Sequence, residues 1–415
     1  MSKILITGNG FDLFHGLPTK YGHFMAVMET IENNTFNFEN EIEFDELFGK
    51  AFKENYTEDY EKIKSNFDVK KIKFDNKKIK EIKSFFPHSK TNISNVIHPI
   101  YWYHHFKTVN KIYTWIDFEN EIKNVLDSFV NFFNLFQNTY IVNNDYSFRN
   151  TENFINYKKI ESFNILLFQN RNRNFKVVRD YIGERDYKLK QDKILLELET
   201  SLESFLTYFN IYLSEIIFPF YDVSLDLMKI PFYEVDFFKT FNYLPTIQKL
   251  YNKNYNVSHL HGEIIHNNET QNIVIGIDKI PEEIAALKAF NFLKSYQKVS
   301  KEIKEFFIEI PNEKSNIIEQ NIFYVFGHSL DSSDKNYFID LFAFLKNDYS
   351  ETSRIIIFYL NKLDKENKIK NLFSYIDENE IIKYNESDRL CFVEINESNL
   401  DNYFKINLWK KDYIF

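Results

Sequence analysis

"ILITGNGFDLFHGLPTKY" (residues 4–21) is the stretch on which the reading of the fold turns. An apolar, strand-like run, Ile4 to Thr7, breaks into Gly8-Asn9-Gly10, and Gly16-Leu17-Pro18 comes shortly after. A glycine turn between a buried strand and a helix presents backbone N–H groups and a positive dipole end to an anion. Pro18 pre-sets φ, and Thr19 is suited to cap a helix over "TKYGHFMAVMETIE". The spacing is not the dinucleotide fingerprint G-x-G-x-x-G, because Leu13 stands where the third glycine would be. A P-loop is also absent, for want of the Gly-Lys-Ser/Thr ending. Alone, the stretch fits a phosphate cradle and a structural turn equally well.

Working outward, "NIFYVFGHSL" (321–330) and "RIIIFYLN" (354–361) are near-continuous apolar runs like "KILITG" (3–8). Such runs suit parallel strands buried on both faces. Shorter candidates are "DFFKTFNY" (236–243) and "NIVIGI" (272–277), and "PEEIAALKAFNFLKSYQKVSKEIKEFFIEI" (281–310) reads as helical. Strands alternating with helices predict an α/β fold, Rossmann-type, with a mostly parallel sheet. The middle of the chain differs. "WIDFENEIKNVLDSFVNFFNLF" (115–136) and "QDKILLELETSLESFLTYFNIYLSEIIF" (191–218) carry apolar residues at helical spacing. The expected organisation is an α/β domain from residues 1–30 plus 236–415, interrupted by a large mainly α-helical insertion over 31–235. Only Gly49 and Gly183 of the nine glycines fall between residues 23 and 261, so the special backbone conformations concentrate in the α/β part.

Composition narrows the function classes. Hydrophobic residues make up 44% of 415, ample for a large core, and the net charge of −9 argues against a general nucleic-acid footprint. The 18% aromatic content accompanies abundant Lys, Asn and Ile, a set with A/T-rich codons. The run "KKIKFDNKKIKEIK" (70–83) is the one basic candidate and reads as a solvated helix face. A single cysteine, Cys391, excludes an internal disulfide and a cysteine-based zinc cluster. No apolar run reaches the roughly 18 residues that span a bilayer, and the start lacks a signal-peptide pattern. A soluble, cytoplasmic protein without membrane partners is expected.

Three further motifs carry chemistry. In "KTFNYLPT" (239–246), Asn242 falls at a strand end, where open α/β sheets place ligands, or serves as a turn residue before Pro245. In "VSHLHGEI" (257–264), two histidines two apart would share one strand face, inviting a metal reading that nothing nearby completes. His261-Gly262 reads instead as an imidazole at a tight corner, a general base or a structural histidine. In "VFGHSLDSSDKNYF" (325–338), Gly327, His328 and Ser329 could meet ribose or phosphate, with Asp331 and Asp334 capping the next helix.

Together these motifs resemble the nicotinamide-nucleotide site of sirtuins. The sirtuin pattern Gly-Ala-Gly-x-Ser…Gly-Ile-Pro-Asp aligns without a gap on Gly8-Asn9-Gly10-Phe11-Asp12…Gly16-Leu17-Pro18-Thr19. The catalytic Thr-Gln-Asn is similar to Thr240-Phe241-Asn242, and the catalytic His-Gly to His261-Gly262, nineteen residues later. Gly327-His328-Ser329 resembles their Gly-Thr-Ser, and the strand ending at Asn361 resembles their later Asn. The whole chain resembles more closely the AbiH family of bacterial phage abortive-infection proteins. That family opens with Gly-Asn-Gly-Phe-Asp-Leu-x-His-Gly-Leu-Pro-Thr, as residues 8–19 do, and carries Phe-Asn-Tyr, His-Gly and Gly-His-Ser-Leu-Asp, as in 241–243, 261–262 and 327–331.

The resemblance implies a sirtuin-like core that binds NAD, as substrate or ligand, and no metal. Asn242 would position a water against C1′, and His261 would accept a proton from that water or from a ribose hydroxyl. Gly8, Asn9, Gly10, Phe11, Asp12, Gly16, Leu17, Pro18 and Thr19 would form one side of the NAD site. Gly327, His328, Ser329, Leu330 and Asn361 would form the other, with main chain of Gly8–Phe11 on the diphosphate and Ser329 with Asn361 at the adenosine end. It also implies a phage-derived trigger and self-association. The chain departs from sirtuins in lacking their four zinc cysteines, in Asp12 for a serine, and in Tyr21 for an arginine. An NAD glycohydrolase is the first reading, with a non-catalytic nucleotide sensor or an RNA-targeting toxin as alternatives.

Overall fold

The computed structural model describes residues 2–86, 100–109, 115–137, 147–149, 159–169, 174–184, 188–225, 230–232, 234–266, 271–308, 320–348 and 351–404. A six-stranded sheet organises the α/β part: β1 (Ser2–Thr7), β2 (Phe237–Thr240), β3 (Val257–His259), β4 (Asn321–Phe326), β5 (Arg354–Tyr359) and β6 (Leu390–Glu394). They lie in the order β6-β5-β4-β1-β2-β3, and every pairing is parallel. This is the doubly wound order 3-2-1-4-5-6 read from its far edge. The chain leaves β1 in one direction for β2 and β3, then returns to β1's other side for β4 to β6. The switch point therefore lies between β1 and β4, where open α/β sheets hold ligands beyond the carboxyl ends of the strands.

Alternation explains why the central strands are apolar throughout. Ile6, Phe323, Val325, Ile355 and Ile357 belong to the core on one face, and Leu5, Ile322, Tyr324, Phe326, Ile356 and Phe358 to the core on the other. Successive side chains point to opposite faces, and both faces here are covered. Seven helices shape the site or support it: α1 (Asn9–Phe14), α2 (Tyr21–Asn33), α3 (Trp115–Gln137), α4 (Gln191–Ile211), α5 (Lys294–Ser300), α6 (Lys335–Asn347) and α7 (Lys362–Phe373). Phe338, Leu341, Phe342 and Leu345 of α6 cover the first face, and Phe11 of α1 the second. Each fully buried Phe or Leu contributes about 1.5–3 kcal/mol.

The stretch between α2 and β2 is mainly helical among its described residues, with small antiparallel pairings at Ile42–Glu43 with Lys73–Phe74 and a three-stranded patch within 147–177. Its core joins Phe24, Val27 and Ile31 of α2 to Phe118 and Ile122 of α3 and Leu202 and Phe205 of α4, and continues into Ile273, Ile275 and Phe292. The apolar packing thus runs past residue 235. At the end of α4 the chain passes into a π-helical turn, Tyr212–Ile217, and Tyr212 donates its hydroxyl to the Pro18 carbonyl at 2.7 Å.

Several sequence expectations require correction. "NIVIGI" is buried and extended but pairs only through the isolated bridge Ile277–Leu293. The Gln297 carboxamide takes the place of a strand neighbour, accepting from Ile275 N and donating to Ile275 O. The long helix expected over 281–310 is, among its described residues, two short ones, Glu282–Ala286 and α5, parted where Lys288 takes φ +60°. Residues 70–83 are a short 3-10 turn, a two-residue strand and a helix, Asn76–Ser84, whose Ile79 and Ile82 are buried. Thr19 does not cap α2. Lys20 holds the N-cap position, without a side-chain bond.

Candidate functional site

The register aligns Thr7 with Thr240 on one side and Phe326 on the other, so three strands end level at the switch point. The residues just beyond these ends crowd together. A Cβ on Gly10 would come within 2.7 Å of Gly327 Cα, and one on Gly327, at φ +68°, within 2.3 Å of Phe11 N. Gly8 N–H donates to Phe326 O, Gly10 N–H to Gly327 O and Phe11 N–H to Gly8 O. Three of the four amides expected on a diphosphate, those of Gly8, Gly10 and Phe11, are thus bonded to protein carbonyls. What these glycines supply is the close approach of two strand ends.

Beyond them opens a cavity of about 510 Å³. Gly8, Asn9, Gly10, Asp12, Thr19, Asn242, His261, Gly327, His328 and Ser329 line it, together with Tyr21. Six sequence candidates do not. Phe11 is fully buried, stacked on Phe232 and Tyr251. Gly16, at φ +82°, Leu17 and Pro18 close α1 and lead the chain to α2. Leu330 is buried at φ +59°, and its N–H donates to His328 Nδ1 at 2.9 Å. Asn361 is exposed, and its Oδ1 caps α7 by accepting from Asp364 N at 3.0 Å. Its place is thus at the N-terminus of α7, outside the lining of the cavity.

Asn242 is fixed from three sides. Its N–H donates to Thr240 Oγ1, its Nδ2 donates to Gly8 O, and its carbonyl meets His259 Nδ1 at 2.9 Å. The two histidines of "VSHLHGEI" therefore separate, because β3 ends at His259 and only His261 reaches the cavity. Among the described residues no group of three or more His, Cys, Asp or Glu is arranged to hold a metal ion.

Asp12 is 2% exposed, and Thr246 Oγ1 donates to its Oδ1 at 2.6 Å. Burial pushes its carboxyl up to about 7, against the hydrogen bonds from Thr246 and Asn242. Burial likewise pushes the His261 imidazole down to about 4, partly offset by Asp334, so it is neutral near pH 7.

Sequence reasoning missed an acidic and basic cluster on the same cavity. Lys294 of α5 lies 2.9 Å from Glu119 of α3 and 3.1 Å from Asp334. His261 Nε2 is 3.2 Å from Asp334 Oδ1, without regular hydrogen-bond alignment, and His328 Nε2 is 3.4 Å from Oδ2. Burial pushes Glu119 up to about 7 against Lys294. Asp334 is held well below the usual carboxylate range, because Lys294 and then His261 outweigh its burial. Asp331 does cap, accepting from Ser333 N, whereas Asp334 makes no cap bond and turns into the cavity. The stretch between α2 and β2 thus supplies wall and charge: Tyr56, Glu119, Phe209 and Leu213 all line the cavity.

Residues 4–359 match the family model described as bacteriophage abortive infection AbiH. The chain belongs to the AbiH family. No curated protein and no solved structure matches it. The AbiH match spans every residue that lines the cavity, from Gly8 to Asp334, and stops before Asn361. Of the missed residues, Glu119 had a visible signal, since "WIDFENE" places three acidic residues in the first two turns of an amphipathic helix. No helix among the described residues is long and apolar enough to cross a membrane.

Proposed function

We propose that this AbiH protein acts in abortive infection by binding NAD in the switch-point cavity and hydrolysing the bond between nicotinamide and ribose. The observation that carries this reading is the convergence of Asn242 and His261, which follow two different strands, on one cavity together with Asp12. Water adds to C1′ of the ribose as the C1′–N bond breaks, and the bonding electrons leave with the ring nitrogen, making neutral nicotinamide. Asn242 holds the water or a ribose hydroxyl, and the neutral His261 imidazole takes the proton that the water loses. ADP-ribose and nicotinamide are the products. Asp12, brought toward neutrality near pH 7, approaches ribose hydroxyls beside a diphosphate with less than a full negative charge.

Incubation of the purified chain with NAD should release nicotinamide, and Asn242→Ala or His261→Ala should abolish it. Release at the wild-type rate by either variant refutes the mechanism. The low proton affinity of His261 favours one competing reading, a sensor that binds NAD without turnover. Calorimetric binding of NAD by wild type with no nicotinamide formed would select it.

A further inference from the structure

Resting on that reading of the cavity, we propose that Asp334 is the positioning residue for both cavity histidines, and that Glu119 of the helical insertion completes the assembly through Lys294. Asp334 stands at the first residue before α6, where an aspartate ordinarily turns its oxygens to helix amides. Here Asp331 takes a capping role instead, and no cap bond comes from Asp334. One oxygen, Oδ1, lies 3.1 Å from Lys294 Nζ and 3.2 Å from His261 Nε2. The other, Oδ2, lies 3.4 Å from His328 Nε2. A carboxylate with each oxygen against a different imidazole fixes the relative placement of the two rings.

For His328 the proton position is set by a bond elsewhere. His328 Nδ1 accepts from Leu330 N–H at 2.9 Å, so a neutral His328 carries its proton on Nε2, facing Asp334. Leu330 makes that bond from a left-handed backbone, φ +59°, a conformation that a non-glycine residue holds only where its surroundings impose it. His261 turns Nε2 toward the same carboxylate. A proton there leaves the Nδ1 lone pair as the base. The 3.2 Å contact is within hydrogen-bond reach, and catalytic hydrogen bonds commonly align when a ligand binds. Phe241 limits the rings' freedom, with its centroid 5.2 Å from His261 and 4.4 Å from His328.

Asp334 accepts through both oxygens only while it is charged, and buried it would otherwise take up a proton. Lys294 supplies the compensating charge, and Glu119 holds the other side of the ammonium at 2.9 Å. Glu119 comes from α3, so the insertion is part of the base's positioning as well as of the cavity wall.

The test uses the full chain. Asp334→Asn should lower kcat for NAD hydrolysis by about a hundredfold or more while changing the Kd for NAD less than about threefold, and Glu119→Gln should lower kcat roughly tenfold. A structural role alone would move Kd and unfolding together with kcat. A second readout needs no turnover: 15N spectra of the imidazoles, with His261 assigned by its loss in His261→Ala. His261 should carry its proton on Nε2 in wild type and lose that preference in Asp334→Asn. An unchanged His261 spectrum in Asp334→Asn overturns the proposal. If wild type hydrolyses no NAD, the functional reading fails and the imidazole spectra still decide the role of Asp334. Should Asp334→Asn not fold, Asp334→Glu keeps the charge and shifts it by one methylene. A displaced His261 tautomer with reduced kcat then supports the proposal, and wild-type values for both overturn it.

Discussion

Asp12→Asn is the perturbation whose size can be worked most directly from the geometry. The side chain is 2% exposed, and burial pushes its carboxyl from an ordinary 3.8 up to about 7. A carboxyl raised on folding stabilises fully below its unfolded value and loses that contribution as pH rises through its folded value. The loss therefore falls between about pH 4 and pH 7. Linkage gives a cost of about 2 kcal/mol at about pH 5 and about 4 kcal/mol at about pH 8. Asparagine has the same shape and no charge, and its Oδ1 can still accept the Thr246 hydroxyl. The variant should be more stable than wild type at both pH values, with the gap wider by about 2–3 kcal/mol at the higher one. Urea midpoints at the two pH values measure this, provided that the slopes match. A gap independent of pH, or a variant less stable at about pH 8, would refute the argument that burial governs Asp12.

Two further substitutions test the architecture. Gly327→Ala places a Cβ 2.3 Å from Phe11 N at a backbone of φ +68°. It should cost at least about 2 kcal/mol in urea unfolding, because the clash is with main chain and no side chain can move aside. Asn361→Ala removes the cap of α7, with a loss of about 1 kcal/mol and no change in NAD affinity by calorimetry. A fall in affinity there would return Asn361 to the ligand site.

The features legible in the sequence were those decided by neighbours in the chain. Ile4–Thr7 and Ile322–Phe326 read as strands because both sheet faces are covered, which leaves no polar alternation to hide them. The glycines at 8, 10 and 327 were visible as points of close approach, although the use made of that approach, amide against carbonyl, was not. Where the partner lies far along the chain, local pattern misleads. "NIVIGI" has the composition of a strand, but Ile275 bonds the side chain of Gln297, and Val274 and Ile277 donate to His261 O and Phe292 O without forming a ladder. β3 has three residues, too few for a period to show. Lys294 looked like one more lysine on an amphipathic segment, and its burial is set by Glu119 and Asp334, 175 and 40 positions away.

Asp331 and Asp334 make the same point within four residues. Both satisfy the sequence rule for a helix start, and one obeys it. Capping is a local choice, worth about 1 kcal/mol. The buried Asp334 carboxylate instead faces the Lys294 ammonium and two imidazoles, so its tertiary contacts stand where a local cap bond would. Asp331 caps the 3-10 turn Ser332–Asp334 that leads into α6, accepting from Ser333 N–H, while Asp334 lines the cavity. The doubled acidic residue in "LDSSD" gives the sequence signal for a site residue that a single cap would not require.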